Sequence, residues 1–521
     1  MRHTSFLALL LTALPLLAQN PAQPDDVGEV AFANSGAAEA QGPFRRGLAL
    51  LHNFEYPVAA EEFRKAQELD PSFAMAYWGE AMTKTHPIWF QQDAEAARAI
   101  LQRLGATPAE RLAKAKTERE RDYLRAIDVL YGEGSKNERD FKFAEAMGAL
   151  HARYPDDVDA AVFHGLAILG TAHQGRDFAT YMRAAAILEA VYPANPRHPG
   201  VLHYLIHSYD DPIHAPLGLR AARVYGSVAP NAGHALHMTS HIFVAMGMWD
   251  DVIDANRRAV DVVNRQRAAR NRQAADCGHY PTWLHYGYLQ KNDAASARKA
   301  LDACRASALE TPFQSAGQMD SKRSRVDEYA AMRAHHVASG HALTAADAVT
   351  IPDGADFVDA RYTVAYGDVL AAAQRKDDAA LKSAVTRLRD LHAGVLAATQ
   401  QDDNPSARLR ADVMLQQSEA LLLAAAGKRD EAIALLESAK KTEESMPFDF
   451  GPPAIAKPAA ELLGDHLLAA NRPADAESAY RAALSRVPGR TILVTAHENA
   501  RSRAAKTKVG EEKKPAEAHV H

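Results

Sequence analysis

Residues 59–71 read AAEEFRKAQELDP, and residues 476–488 read AESAYRAALSRVP. In both stretches an alanine, an aromatic residue, a second alanine and a proline follow the spacing Ala-x3-aromatic-x2-Ala-x4-Pro. Small alanines let two antiparallel helices approach closely, the aromatic ring fills the gap between them, and the proline ends the second helix. The spacing therefore predicts an all-α fold built from repeated helical hairpins.

This pattern resembles the tetratricopeptide repeat, a helix–turn–helix unit of 34 residues. The residues that carry the resemblance are Ala59, Phe63, Ala66, Pro71, Ala476, Tyr480, Ala483 and Pro488. Weaker copies lie between them, and the resemblance extends from about Phe44 to Ala505. It implies a right-handed α-solenoid whose concave face binds a protein, a peptide or a small ligand.

The composition excludes several classes of protein. The chain has 521 residues, of which 47% are hydrophobic and 24% are charged, so most of it is expected to fold. The formal net charge is −5, which gives no support to nucleic-acid binding. The sequence has no glycine-rich phosphate loop and no His-Glu-x-x-His motif, and we expect no nucleotide cofactor.

The first residues have the pattern of a secretory signal peptide. Arg2 and His3 precede an apolar run from Phe6 to Leu17, which is too short to cross a bilayer as a helix. Cleavage near Ala18 would export the protein to the periplasm or the medium, without stable membrane insertion. The alternative is a membrane anchor.

The remaining organisation is predicted from composition. A signal peptide over 1–18 is followed by a flexible leader over 19–43, which begins with a stretch rich in proline and glutamine. Solenoid repeats then occupy 44–349, with a histidine-rich groove, and 350–505. The charged segment 506–521 is expected to be a disordered tail.

The two cysteines, Cys277 and Cys304, are placed symmetrically about a predicted turn at Gln290–Lys291. A helical hairpin folding at that turn would bring them side by side, and an oxidising compartment would favour a disulfide. The alternative is two buried thiols, because pairing cannot be deduced from sequence.

The histidines show a second regularity. His203 and His207 are four residues apart, as are His237 and His241, and each pair is separated from its counterpart by 34 residues. Residues four apart share one helix face, so the two pairs are predicted to face each other from adjacent first helices. His234 extends this stripe.

By the resemblance, the paired histidines occupy repeat positions that face the concave groove, where some family members carry Lys and Asn to hold a carboxylate. Histidine replaces that clamp here. Imidazole is a favoured ligand of transition metals, so the pattern predicts a metal site, with zinc first and copper second. The secondary candidates are His234, His285 and His214, and Asp210 or Asp211 could orient a ring.

Three functions remain open at this point. The protein could be a binding or scaffold protein whose metal is structural or cargo. It could be a metal-dependent, hydrolase-like enzyme with Asp210 or Asp211 as general base. It could also be a metal-free peptide- or protein-binding scaffold, with histidines that only pack and hydrogen-bond.

Overall fold

The computed structural model describes residues 26–310, 322–354, 357–400 and 405–512. Across these ranges the chain forms 23 α-helices, three short 3₁₀ turns and a single two-stranded antiparallel ribbon. In that ribbon β1 (Thr85–His86) pairs with β2 (Gln91–Gln92), and Thr85 lies opposite Gln92. The predicted all-α fold is confirmed.

The helices of the first half are α1 (Gln41–His52), α2 (Tyr56–Leu69), α3 (Ala74–Met82), α4 (Ala94–Leu104), α5 (Pro108–Lys114), α6 (Glu118–Leu130), α7 (Lys136–Arg153), α8 (Val158–Leu169), α9 (Phe178–Val191), α10 (Pro199–Tyr209), α11 (Ala215–Val228) and α12 (Gly233–Ala245). Those of the second half are α13 (Trp249–Ala268), α14 (His279–Gln290), α15 (Ala294–Glu310), α16 (Lys322–Ala338), α17 (Val358–Arg375), α18 (Asp378–Ala398), α19 (Ser406–Ala425), α20 (Arg429–Ser445), α21 (Ala459–Ala469), α22 (Pro473–Arg486) and α23 (Thr491–Glu512). The 3₁₀ turns are Ala38–Ala40, Pro87–Trp89 and Ala345–Asp347.

Consecutive helices pack against each other along most of the chain, and alternate helices such as α8, α10 and α12 also touch. This is the contact pattern of an α-solenoid of stacked helical hairpins. The aromatic residue of each strict repeat explains the spacing in the sequence. Phe63 is fully buried, and a Cβ at Gly79 would lie 2.4 Å from its ring. Tyr480 of α22 packs in a similar way on Gly464 of the preceding helix, where a Cβ would also lie 2.4 Å from the ring.

The end of the solenoid packs back against its middle. Arg490 is fully buried, and its guanidinium donates to Glu461 Oε2 at 2.7 Å and to the carbonyl of Ala338 at 3.1 Å. Thr491 donates its hydroxyl to the carbonyl of Gln290 at 2.5 Å. Because these bonds link helices that are 150 to 200 residues apart in sequence, they hold the segment around α21 and α22 beside α14 and α16.

The structure corrects the predicted boundaries. Residues 26–43 belong to the predicted leader, yet Val27, Val30 and Phe32 are buried in the main apolar core, because this stretch lies across the first repeats. Residues 1–25, which include the predicted signal peptide, lie outside the described part of the chain. At the other end α23 continues to Glu512, past the predicted start of the tail at 506.

The core is continuous across the predicted boundary at residue 350. One hydrophobic cluster joins Leu301 and Tyr329 to Phe357, and α16 packs along α17. The segments 44–349 and 350–505 are therefore parts of one packed array of helices.

Cys277 and Cys304 are joined by a disulfide, with their Cα atoms 4.1 Å apart. The bond ties the segment before α14 to α15, the hairpin that turns at Lys291. In the described ranges, no helix is both long enough and apolar enough to cross a membrane.

Candidate metal centre

Three first helices bring six histidines together. Helix α10 carries His203 and His207, α12 carries His234, His237 and His241, and α14 begins at His279. The 34-residue register holds, because α10 and α12 are neighbours in the stack and the ring centroids of His207 and His241 lie 5.9 Å apart. The six rings form two groups of three, and within each group one ring nitrogen per histidine lies within 4.8 Å of the others.

The group of His237, His241 and His279 is called the outer triad here. Two of its rings are fixed by hydrogen bonds at Nδ1. His237 Nδ1 lies 2.7 Å from Asn256 Oδ1, and His241 Nδ1 lies 2.5 Å from Asp210 Oδ2. The amide of Asn256 donates its Nδ2 to the carbonyl of Val252 at 2.9 Å, which fixes Oδ1 toward His237.

These partners set the tautomers. A carboxylate and an amide oxygen accept hydrogen bonds, so Nδ1 of each ring carries the proton and Nε2 carries a lone pair. The two Nε2 atoms face each other at 3.0 Å. Two lone pairs at this distance repel unless a cation, either a proton or a metal ion, lies between them. Two nitrogens bound tetrahedrally to one zinc ion, at 2.0–2.1 Å each, would be about 3.4 Å apart.

The group of His203, His207 and His234 is called the inner triad. His203 Nδ1 donates to the carbonyl of His52 at 2.6 Å, which again leaves Nε2 with a lone pair. The Nε2 atoms of all three rings are buried and have no hydrogen-bond partner within the described chain. A buried polar atom without a partner costs about 1–3 kcal/mol, so three in one place require a ligand or a strained core.

Burial favours the neutral form of four of these imidazoles. It lowers the pKa of His203, His207, His234 and His237 well below the usual 6.5, and the positive charge that neighbouring histidines would carry lowers it further. Neutral imidazole is the form that binds a metal ion, so the rings are ready to ligate at neutral pH.

The two triads differ in their exposure. His203, His207 and His234 are 0%, 3% and 7% exposed, whereas 42% of the His279 side chain is accessible. The outer triad therefore opens to solvent at His279, whose Nδ1 lies 3.9 Å from Glu328 Oε1.

Aromatic rings and a loop enclose the rest of the centre. Phe54 packs on His203 with ring centroids 4.3 Å apart, and Trp283 packs on His241 at 4.4 Å. The proline-rich stretch between α20 and α21, residues 447–458, is called the proline loop; its Phe450 covers His241 at 5.3 Å. Gly451 of this loop has φ +85° and lies so close to Trp283 that a Cβ would come within 2.2 Å of Cζ2.

A third group of His52, Asp159 and His198 supports the inner triad. His52 Nε2 donates to Asp159 Oδ1 at 2.8 Å, and Tyr204 donates its hydroxyl to His52 Nδ1 at 3.1 Å. Although burial alone would raise it, the hydrogen bonds from His198 and His52 hold the pKa of Asp159 below its usual value. Both ring nitrogens of His52 are engaged in these hydrogen bonds, so the ring has no lone pair left for a metal ion. The group instead positions the backbone carbonyl of His52, which accepts the hydrogen bond from His203.

The structure places the other predicted residues away from ligand positions. His285 lies 3.4 Å from Nδ1 of His336, in a separate pair, because its ring points from α14 toward α16. His214 Nδ1 bonds to Asp211 at 2.9 Å. Asp211 also accepts from Arg176 at 3.0 Å, so it is engaged in a buried ion pair and is not free to act as a general base. Asp210 orients His241.

Sequence reasoning missed His279, Asn256 and the His52 group. His279 lies 42 residues after His237, so it falls outside the 34-residue register. Its signal is its position as the first residue of a first helix, next to a Tyr and a Pro. His52 and Asp159 lie in distant repeats and share no spacing with the centre.

Comparison with known proteins adds little to this centre. No protein-family model and no curated protein matches the chain. Among solved structures, the chain is similar to the APC/C hetero-tetramer Cut9-Hcn1 at 11% identity, covering 90% of this chain and 78% of that one, with a TM-score of 0.35. It is also similar to yeast Tom70 at 12% identity, covering 90% and 96%, with a TM-score of 0.34. The human IFIT1 dimer with m7Gppp-AAAA is similar at 13% identity, covering 88% and 95%, with a TM-score of 0.38.

Proposed function

We propose that this protein binds a divalent transition metal through the histidines stacked between α10, α12 and α14. The observation that carries the proposal is the pair of Nε2 atoms of His237 and His241, which face each other at 3.0 Å while both Nδ1 atoms donate elsewhere. A metal ion between them turns a repulsion into two coordinate bonds.

The proposal accounts for the buried nitrogens better than a metal-free core does. In a purely structural role, histidines are expected to hydrogen-bond at both ring nitrogens. His203 makes one such bond, to the carbonyl of His52, and its Nε2 is left without a partner, as are those of His207 and His234. Removing three such atoms from water without compensation is costly.

The ligand chemistry favours zinc or copper(II). Both triads consist of imidazole alone, which suits Zn²⁺ and Cu²⁺ more than Mg²⁺ or Ca²⁺, whose preferred ligands are oxygens. Asp210 on His241 is the carboxylate–histidine–metal arrangement that raises the basicity of a ligand ring.

Export from the cytoplasm is part of the proposal. The disulfide between Cys277 and Cys304 supports it, because such bonds persist in oxidising compartments. In an oxidising compartment outside the cytoplasm, the protein would bind metal ions there and would not buffer the metal ions of the cytosol.

The test is a calorimetric titration of metal-stripped protein with Zn²⁺ and with Cu²⁺. We expect tight binding by the native chain and at least about 100-fold weaker binding at the outer triad by His237→Ala, which loses one of its three ligands. His392→Ala is the matched control, because His392 bonds to Asp412 between α18 and α19, outside the centre. Full metal content in the His237→Ala protein would overturn the proposal.

A metal-dependent hydrolase is the second candidate. The outer triad provides three ligands and opens to solvent at His279, which is the arrangement of catalytic zinc sites with an open fourth position. Zinc-loaded protein should then hydrolyse an activated ester such as 4-nitrophenyl acetate faster than His279→Ala does. Equal rates would exclude this candidate and leave metal binding intact.

A further inference from the structure

The centre contains two complete sets of ligands rather than one. The inner triad and the outer triad each bring three ring nitrogens within 4.8 Å of one another, and no histidine belongs to both. On the basis of the proposed metal binding, we infer that the protein holds two metal ions side by side, one in each triad.

The support for each triad is separate, which is what two ions require. In the inner triad His203 is fixed by the carbonyl of His52, and in the outer triad His237 and His241 are fixed by Asn256 and Asp210. One zinc ion with bonds of 2.0–2.1 Å is filled by three imidazoles and one further ligand. A single ion would leave the lone pairs of the other triad buried and without a partner.

The triads are also adjacent. The ring centroids of His207 and His241 are 5.9 Å apart, and those of His234 and His237 are 6.0 Å apart. Helix α12 therefore contributes ligands to both ions, His234 to the inner one and His237 and His241 to the outer one. The arrangement is a dinuclear centre with imidazole ligands only.

The surroundings make the two positions unequal. Two carboxylates lie beside the outer triad, Asp210 on His241 and Glu328 near His279. In the inner triad His203 is held by a neutral carbonyl, Phe54 closes off the rings, and one carboxylate is close, that of Glu55, which accepts from the backbone N–H of His234 at 3.0 Å. Because negative charge nearby offsets the charge of a divalent ion, the outer position should fill first. Because it opens to solvent at His279, it should also release its ion faster.

Zinc stoichiometry tests this inference. Metal-stripped native protein is saturated with Zn²⁺ alone, desalted and analysed for zinc per chain, and release to a chelator is followed in time. We expect two zinc ions per chain and a biphasic release. His279→Ala should retain one ion and lose the fast phase, and His207→Ala should retain one ion and lose the slow phase.

Controls separate folding from binding. His392→Ala should keep two ions, and the double variant of His279 and His207 should keep none. If His207→Ala does not reach the native circular dichroism spectrum, His234→Ala replaces it, since both lie in the inner triad. The inference of two ions would be overturned if the native chain were saturated at one ion, or if either single variant lost all its zinc. One ion per chain would leave the proposed metal binding standing, whereas no bound zinc or copper would overturn both.

Discussion

Replacing Asp210 with asparagine tests the role of the carboxylate behind the outer triad. Asp210 Oδ2 accepts from His241 Nδ1 at 2.5 Å, and both side chains are about 2% exposed. Asparagine keeps the shape and can still accept this bond, but it removes the negative charge. The ring of His241 then becomes a weaker base toward a metal at Nε2.

The magnitude follows from measured effects of such partners. Loss of a group that orients a metal-bound histidine weakens metal binding about 10- to 100-fold. This corresponds to about 1.4–2.7 kcal/mol of binding free energy. We expect the Asp210→Asn protein to fold with native circular dichroism and to bind Zn²⁺ with an affinity reduced within that range, as measured by competition with a chelator.

The adjacent residue provides the control. Asp211 is also buried, but its carboxylate bonds to Arg176 and His214 and touches no histidine of the triads. Breaking this buried ion pair by Asp211→Asn should lower the stability by about 3–5 kcal/mol without changing the zinc affinity of the folded protein. Equal zinc affinities for Asp210→Asn and the native chain would refute the assignment of Asp210, and so would an equal loss in both variants.

Three further outcomes are expected. Gly451→Ala should lower the melting temperature, because the added Cβ would collide with Trp283 and because the residue has a positive φ. A lower zinc affinity without a loss of stability would contradict a packing role for the proline loop. Cys277→Ser combined with Cys304→Ser should lower the free energy of unfolding by about 3–4 kcal/mol, given a sequence separation of 27, and urea titration showing no loss would contradict a native disulfide. Burial lowers the pKa of His335 to about 3, so the unfolded chain takes up a proton at this residue as the pH falls through 6.5 while the folded chain does not. His335 alone should therefore lower the stability by about 2 kcal/mol between pH 7 and pH 5, and His335→Gln should reduce the measured pH dependence by about that amount.

The repeat spacing predicted the fold because it encodes contacts between neighbours. Phe63 and Tyr480 each pack against a glycine of a helix adjacent in sequence, so a local pattern determines a local contact. The same logic predicted that the histidine pairs of α10 and α12 would be adjacent, and His207 does lie beside His241. The predicted single site of His203, His207, His237 and His241 is instead divided between the two triads.

The remainder of the centre depends on contacts that the 34-residue repeat spacing does not predict. His52 reaches His203 across 151 residues, and the proline loop reaches His241 from beyond residue 446. His285 has the predicted position relative to its turn, yet its ring packs toward His336. His279, at the start of α14, is instead the third member of the outer triad. Such placements follow from how the solenoid closes on itself, which the linear sequence does not show.

Anomalous diffraction from crystals of the zinc-loaded protein, recorded at the zinc absorption edge, is the most direct test of the central claim. We expect a strong peak about 2.0–2.1 Å from Nε2 of both His237 and His241, between the two rings that face each other. A map with zinc only at the molecular surface, and none between these rings, would contradict it.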